Sequence, residues 1–231
     1  HLTQRAFDWA DRYQMPVLLL TDQMLADAQF SLQTLDIPSP SQLDGLASPG
    51  SFDRYARYQL TADGVSPRLA LGQSHHLVVI DSDEHDEAGH ITENLIETRP
   101  TMVEKRLEKM RRLQREVPPP EAYRIEDAEL VLLSWGSTRG AVREAVDRVR
   151  HQGRSVGSLH FTHLWPLPSL TLPVGPSYWT VEGNASGQLA RLLQGEGDVR
   201  LTGRLGRYDG LPWDADRLAS EILNASEEAT A

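Results

Sequence analysis

The chain has 231 residues, 39% of them hydrophobic and 24% charged, which is the composition of an ordinary globular protein of one large or two modest domains. Its 33 acidic against 23 basic side chains give a formal charge of -10, excluding a general binder of nucleic acid or anionic membrane. There is no cysteine, so disulfides, thiolate nucleophiles and cysteine-ligated clusters are excluded within it.

No run approaches 18 apolar residues, and no signal peptide opens the chain, so the expected location is cytoplasmic, with no membrane partner. From His1 the chain runs directly into a helical pattern. Leu2, Ala6, Trp9, Ala10 and Tyr13 fall on one face, predicting a helix over 2–13 that Pro16 ends. Val17 to Thr21 is a short apolar run without alternation, the pattern of a strand buried on both faces. A helix leading into a buried strand is half of a βαβ unit whose partner strand belongs upstream, so a fragment is expected.

Residues 29–60 hold no sustained period. Pro38, Pro40, Pro49, Gly45 and Gly50 mark a long connecting segment. Leu77 to Ile80 is the next predicted strand, and it runs into the polar stretch Asp81–His90. Val103, Leu107, Met110, Leu113 and Val117 then predict a helix over 102–115. Lys105, Arg106, Lys109, Arg111, Arg112 and Arg115 cover its other faces, which reads either as a solvated surface or as a docking face for an acidic partner. Pro118-Pro119-Pro120 is a stiff spacer and the expected domain boundary.

The second half has a cleaner α/β rhythm. Strands are predicted over 130–134, 155–159 and 178–182, and helices over 138–151 and 187–194. The expected result is an open, mostly parallel sheet covered by helices, with Leu132, Val146 and Leu189 inside it. Turns at Gly136-Ser137-Thr138 and Gly183–Gly187 sit between a strand and a helix. The first is a possible anion site, although Ser137 or Thr138 as a plain helix cap is the simpler reading. Asn184 or Ser186 is the expected cap in the second.

Asp81–His90 invites a metal reading, because histidine and carboxylate ligate divalent cations. It fails as a calcium loop, since Asp86 stands where an EF-hand needs glycine. It fails as a zinc-protease motif, because His85 and His90 are not spaced as His-Glu-x-x-His. No metal site is therefore expected. Glu84, His85, Asp86 and Glu87 remain open between a solvated turn and a polar site or subunit contact at a strand's carboxyl end. His160 and His163 flank Phe161 in an apolar stretch and read as structural histidines. Asn184-Ala185-Ser186 and Asn224-Ala225-Ser226 match glycosylation sequons with no secretion signal to make them relevant. No Gly-x-Ser-x-Gly elbow joins the serines and histidines into a nucleophile.

Several segments together resemble one family. They are Ala6-Phe7-Asp8, Tyr13-Gln14-Met15-Pro16-Val17 and Thr21-Asp22-Gln23-Met24-Leu25-Ala26-Asp27, followed by Gly64-Val65-Ser66-Pro67-Arg68 and Glu84-His85-Asp86-Glu87-x-Gly89-His90. Met102-Val103-Glu104-Lys105-Arg106, Trp135-Gly136-Ser137-Thr138, His163-Leu164-Trp165-Pro166-Leu167-Pro168 and Gly187-Gln188-Leu189-Ala190-Arg191-Leu192-Leu193 continue the order. The set is similar to the alpha subunit of 2-oxoacid:ferredoxin oxidoreductases, most like the 2-oxoglutarate type.

The resemblance implies the C-terminal portion of such a subunit. Residues 1–116 would be the tail of a thiamine pyrimidine-binding domain, 117–124 a Pro-rich linker, and 125–231 a transketolase C-terminal-like domain. The full complex would use thiamine diphosphate, Mg2+ and a [4Fe-4S] cluster, none of them held within this chain. It would convert a 2-oxoacid and coenzyme A to acyl-CoA and carbon dioxide and reduce ferredoxin, with a beta subunit as partner. The catalytic residues are expected upstream of His1, leaving this portion an architectural and interface role. Alternative readings are a stand-alone α/β interaction or regulatory module, and a thiamine enzyme that uses other electron carriers.

Overall fold

The computed structural model describes residues 1–34 and 46–228, with side chains through 225. Pro38, Pro40 and Gly45 of the connecting segment, and the Ser226 side chain of the second sequon, lie outside that description. The chain divides into two compact units, His1–Leu20 with Ser31–Arg115, and Thr21–Phe30 with Glu116–Ala231.

In the first unit, helix α1 (Leu2–Tyr13) buries Trp9 and Tyr13 and stops at Gln14, whose left-handed backbone (φ 48°) precedes Pro16. Helix α3 (Thr98–Glu116) extends beyond the predicted 102–115 and buries Met102 and Leu113. The predicted strands at 17–21 and 77–80 do not form. Both segments carry no strand assignment, and Leu18 and Leu77 are 82% and 80% exposed. An apolar run becomes a strand only where a neighbour supplies a hydrogen-bonding ladder. The first unit has only isolated bridges among its described residues, Leu46 with Arg68 and His85 with Ile91.

The second unit is an open five-stranded sheet in the order β1-β3-β2-β4-β5. Its strands are β1 (Glu121–Tyr123), β2 (Leu130–Trp135), β3 (Val156–Phe161), β4 (Ser177–Glu182) and β5 (Gly203–Gly206). β1 is antiparallel to β3, and every other pairing is parallel. The central strands are apolar on both faces because helices cover both. Leu130 and Leu132 pack with Val142, Val146 and Val149 of α4 (Arg139–His151) and with Leu218 and Ile222 of α6 (Ala215–Glu228). Val131, Leu133 and Phe161 pack on the opposite face with Leu189 and Leu193 of α5 (Gln188–Glu196). Leu132, Val146 and Leu189 are buried as expected. Besides the short helix at Gln23–Asp27, three elements escaped the sequence reading. β1 lies within the expected linker, β5 is the Gly-Arg-Leu-Gly edge, and α6 follows Asp214, whose carboxylate accepts the Arg217 N–H at 2.8 Å. Thr21–Phe30, with the short helix α2 (Gln23–Asp27), belongs to this unit.

Candidate functional site

In the second unit β2 crosses through α4 to β3 on one side, while β4 lies on its other side and leads through α5 to β5. Connections therefore diverge at the carboxyl ends of β2 and β4, the place where open α/β sheets present ligands. The two turns singled out in the sequence stand there. Gly136 takes φ +62°, which a side chain would strain, and an added Cβ would meet the Asp22 carboxylate at 3.7 Å, an ordinary contact. Thr138 does not cap α4 with its side chain; its hydroxyl turns back and donates to the Trp135 carbonyl at 2.7 Å. Ser137 donates instead to the carboxylate of Asp22, which also accepts the Leu25 N–H at 2.9 Å. Burial opposes ionisation of Asp22, but the bonds from Ser137 and Leu25 outweigh it and hold the carboxyl below its ordinary range. The chain's own carboxylate thus sits at the turn read as a possible anion site.

At the second turn the cap position of α5 is taken by Gly187 and not by the expected Asn184 or Ser186, and it carries no side-chain cap bond; Asn184 Oδ1 instead reaches forward from the turn to accept the N–H groups of Gly187 (2.8 Å) and Gln188 (3.2 Å). The larger contribution is Glu182, which the sequence reading missed. Fully buried at the end of β4, it accepts Leu189 N–H at 2.7 Å and Ala190 N–H at 3.1 Å, closing the first turn of α5. A lone glutamate ending an apolar strand just before a Gly-Asn-x-Ser-Gly turn was the available signal.

Beneath the start of α4, Ser134 of β2 and His160 of β3 are cross-strand neighbours, with Ser134 Oγ 2.9 Å from His160 Nδ1. Glu121 of β1 is the register partner of His160 on its other side, and Arg139 and Arg143 both donate to Glu121 at 2.7–2.8 Å. Burial, and then the charge of Arg139, push the His160 pKa down to about 4. Ser134 is inaccessible, so the pair locks adjacent strands together and is not a nucleophile with its base. His163 lies beyond the strand, its Nδ1 2.9 Å from the Thr162 hydroxyl.

In the first unit Glu84–Glu87 do not lie at a strand's carboxyl end, because 77–80 is not a strand; a self-bonded loop holds them. Asp86 Oδ1 accepts the N–H groups of Ala88 (2.9 Å) and His90 (3.0 Å), while Asp86 N–H donates to the His90 carbonyl (2.9 Å). Those bonds keep the Asp86 carboxyl below its ordinary range. Glu87 accepts the Leu60 N–H at 2.8 Å. Glu84 is gripped by both terminal nitrogens of Arg106 at 3.2 Å. His85 donates from Nδ1 to the Asp83 carbonyl at 2.8 Å, and its ring lies 3.8 Å from that of Tyr58. An open cleft of about 490 Å³ adjoins the loop, lined among others by Arg54, Leu60, Asp86, Glu87 and Glu97. Among the described residues no group of three or more histidine, aspartate or glutamate side chains is placed to hold a metal ion.

The basic helix is neither a fully solvated face nor a free docking face. Its two lysines, the only ones in the chain, turn inward: Lys105 donates to the Tyr58 carbonyl and Lys109 to the Gln14 carbonyl, each at 3.0 Å. Burial, and then Lys109, Arg57 and Arg106, lower the Lys105 pKa to about 8. Arg112 pairs with Asp63, and Arg111 with Glu104 and Glu108.

Gly89 is what lets the acidic loop close. At φ +89° an added Cβ would lie 2.4 Å from the Val79 carbonyl oxygen. Gly89→Ala is therefore expected to destabilise the first unit by about 2 kcal/mol, combining left-handed strain with displacement of backbone. Urea denaturation followed by near-ultraviolet circular dichroism checks this; a change under about 0.5 kcal/mol contradicts it.

The family described as pyruvate:ferredoxin oxidoreductase core domain II matches residues 128–174, the stretch from β2 to the approach to β4. Subunit alpha of 2-oxoacid:ferredoxin oxidoreductase 2 from Aeropyrum pernix is 31% identical over 97% of this chain and 36% of its own length. Subunit alpha of 2-oxoacid:ferredoxin oxidoreductase 1 from the same organism is 32% identical over 95% of this chain and 35% of its own. The solved 2-oxoglutarate:ferredoxin oxidoreductase of Magnetococcus marinus superposes with a TM-score of 0.81 and 28% identity, over 94% of this chain and 38% of that one. Spanning roughly a third of the length of these relatives, the chain belongs to the alpha-subunit family of the 2-oxoacid:ferredoxin oxidoreductases.

Proposed function

We propose that this polypeptide is part of the alpha subunit of a cytoplasmic, thiamine-diphosphate-dependent enzyme that converts a 2-oxoacid and coenzyme A to acyl-CoA and carbon dioxide, passing electrons to ferredoxin. The observation that carries the reading is similarity along nearly the whole chain, across both units, to alpha subunits bearing that name. The likeness to the Magnetococcus enzyme, solved with 2-oxoglutarate, coenzyme A and succinyl-CoA bound, favours 2-oxoglutarate as the substrate.

The residues present do not fit the complex's iron–sulfur cluster. Such a cluster takes thiolate ligands, and this chain has no cysteine. It falls to other polypeptide, a beta subunit above all, and no chemical step is assigned to side chains here. What these residues supply is shape. The β2–β4 crevice, with Gly136, Ser137 and Thr138, and the loop with Glu84, His85, Asp86 and Glu87 are hydrogen-bonded polar surfaces suited to facing a partner subunit's active site.

The test is reconstitution of the full-length subunit with its beta partner. Reduction of ferredoxin that depends on both 2-oxoglutarate and coenzyme A is expected, together with no turnover by the 231-residue chain supplied with thiamine diphosphate and Mg2+. Replacing His85 and Asp86 by alanine should lower turnover or assembly. A reconstituted complex inert with every 2-oxoacid sinks the reading, and turnover by the isolated chain overturns the assignment of its role.

A further inference from the structure

Three cations of the first unit are placed unlike their neighbours. Arg68 pairs with Asp11, Arg106 with Glu84 and Arg112 with Asp63. Arg57, Lys105 and Lys109 turn instead to neutral oxygens. Arg57 donates to the side-chain oxygen of Gln14 at 2.9 Å, Lys109 to the Gln14 carbonyl at 3.0 Å and Lys105 to the Tyr58 carbonyl at 3.0 Å. Among the described residues none of the three has a carboxylate at ion-pair distance, in a chain with 33 acidic side chains to draw on. Glu87 is the carboxylate whose charge reaches Lys105, and it is already bonded to the Leu60 N–H.

The three form one cluster. Gln14 joins Arg57 to Lys109 through its two oxygens, while the Arg57 guanidinium carbon and Lys105 Nζ lie 5.1 Å and 5.5 Å from the centre of the Tyr58 ring. Lys105 and Lys109 stand one turn apart on α3. Gly64 seats the neighbouring loop on their stems. At φ +74° an added Cβ there would overlap the Lys105 carbonyl oxygen and lie 3.0 Å from Lys109 Cγ. All three cations are half-buried, so their repulsion is only partly screened. Burial first, and then the neighbouring cations, lower the pKa of both lysines, that of Lys105 to about 8.

We propose that Arg57, Lys105 and Lys109 bind a phosphate group, as the free anion or as a monoester. An ammonium has three N–H donors and a guanidinium five, and each of these cations uses one on Gln14 or Tyr58, which leaves donors for several phosphate oxygens. Bonds from cations to a dianion are roughly twice as strong as neutral ones, and the bound charge relieves the repulsion within the cluster. An extended polyanion fits poorly, because Glu84 and Asp63 already neutralise the arginines on either side. The site is independent of the reaction proposed above.

Nitrogen-15 lysine labelling gives a direct probe, since Lys105 and Lys109 are the only lysines in the chain. Titration with inorganic phosphate, against sodium chloride of matched ionic strength, should shift both Nζ resonances saturably, with a dissociation constant on the order of 1 mM or below. The Lys105 pKa should rise from about 8 as phosphate binds. Arg57→Gln and Lys105→Gln, checked for folding by circular dichroism, should each weaken binding about tenfold or more, and Arg57→Lys, which keeps the charge, should weaken it less. Tighter binding of phenyl phosphate than of inorganic phosphate makes the ligand a monoester, and the reverse order makes it the free anion. Shifts that grow linearly, or that sodium chloride reproduces, overturn the proposal. So does saturable binding that both glutamine variants leave unchanged. Calorimetry on the full-length subunit completes the test: phosphate binding by the 231-residue chain that the longer polypeptide lacks also overturns the proposal, because the cluster's anion is then a carboxylate of that polypeptide.

Discussion

Acidifying the protein from pH 6.5 to pH 5 is expected to remove about 2 kcal/mol from the stability of the second unit, through His160. The ring is 6% exposed, and its folded pKa lies near 4 against an ordinary 6.5. Because the folded value is the lower one, the neutral ring's contribution is fully present above pH 6.5. It falls by about 1.4 kcal/mol per unit as pH drops towards 4, and then levels off after a total loss of roughly 3 kcal/mol. The carboxylates with lowered pKa in this unit, among them Asp22, Glu121 and Asp127, keep their contributions above the ordinary carboxylate range and lose them as pH falls from that range to their lowered values. The interval from 6.5 to 5 therefore isolates the histidine. Guanidinium denaturation followed by tryptophan fluorescence should show the slope in the parent chain and a flattened one in His160→Gln. An identical slope in that variant rules out His160 as its source.

Glu182→Ala is expected to cost about 3 kcal/mol in the same unit. Its carboxylate is completely buried and accepts the N–H groups of Leu189 and Ala190, and Asn184 Nδ2 donates to it at 2.8 Å. Removing it strands two helix-end donors away from water, at about 1–3 kcal/mol apiece, and deletes a negative charge from the positive end of α5. Glu182→Gln should also destabilise, by about 1 kcal/mol or more, because its amide sets a donor against a donor where the carboxylate had an acceptor. The Trp213 indole N–H donates to the Glu182 backbone carbonyl at 3.0 Å, so its fluorescence reports the site directly. Both variants unfolding within about 0.5 kcal/mol of the parent would show that α5 is held by its apolar face alone.

The second unit was legible because its signals agreed with one another. Leu130–Leu133 is apolar throughout and is followed by a glycine turn and then a 3.6-residue period ending at Gly153, so strand, turn and helix support a single reading. Its edges were harder. β1 has three residues beginning with a glutamate, and β5 has glycine at both ends, so neither carries a pattern distinct from loop. Val17–Leu20 misled for the opposite reason: its pattern reports an environment that these residues do not themselves provide. The polar cluster of Glu121, Ser134 and His160 was not readable at all, because strand order brings those three together and the spacing between them does not encode it. The charges of α3 show the same limit. Periodicity identified the helix, but which lysines would reach a backbone carbonyl depends on where Gln14 and Tyr58 end up.

The membership of Thr21–Phe30 has a consequence for how the polypeptide can be divided and how it folds. The chain passes from one unit to the other after Leu20, after Phe30 and after Arg115, so the units are threaded into each other along the sequence. Cutting at Pro118-Pro119-Pro120 would release a second unit stripped of Asp22, and no single cut separates the two intact. The bond from Ser137 to Asp22 also spans 115 residues, and ordering so long a loop comes late relative to the local β2–α4–β3 crossover. During synthesis residues 21–30 leave the ribosome well before the sheet they join exists, and the Asp22 bond must wait for the 115 residues up to Ser137.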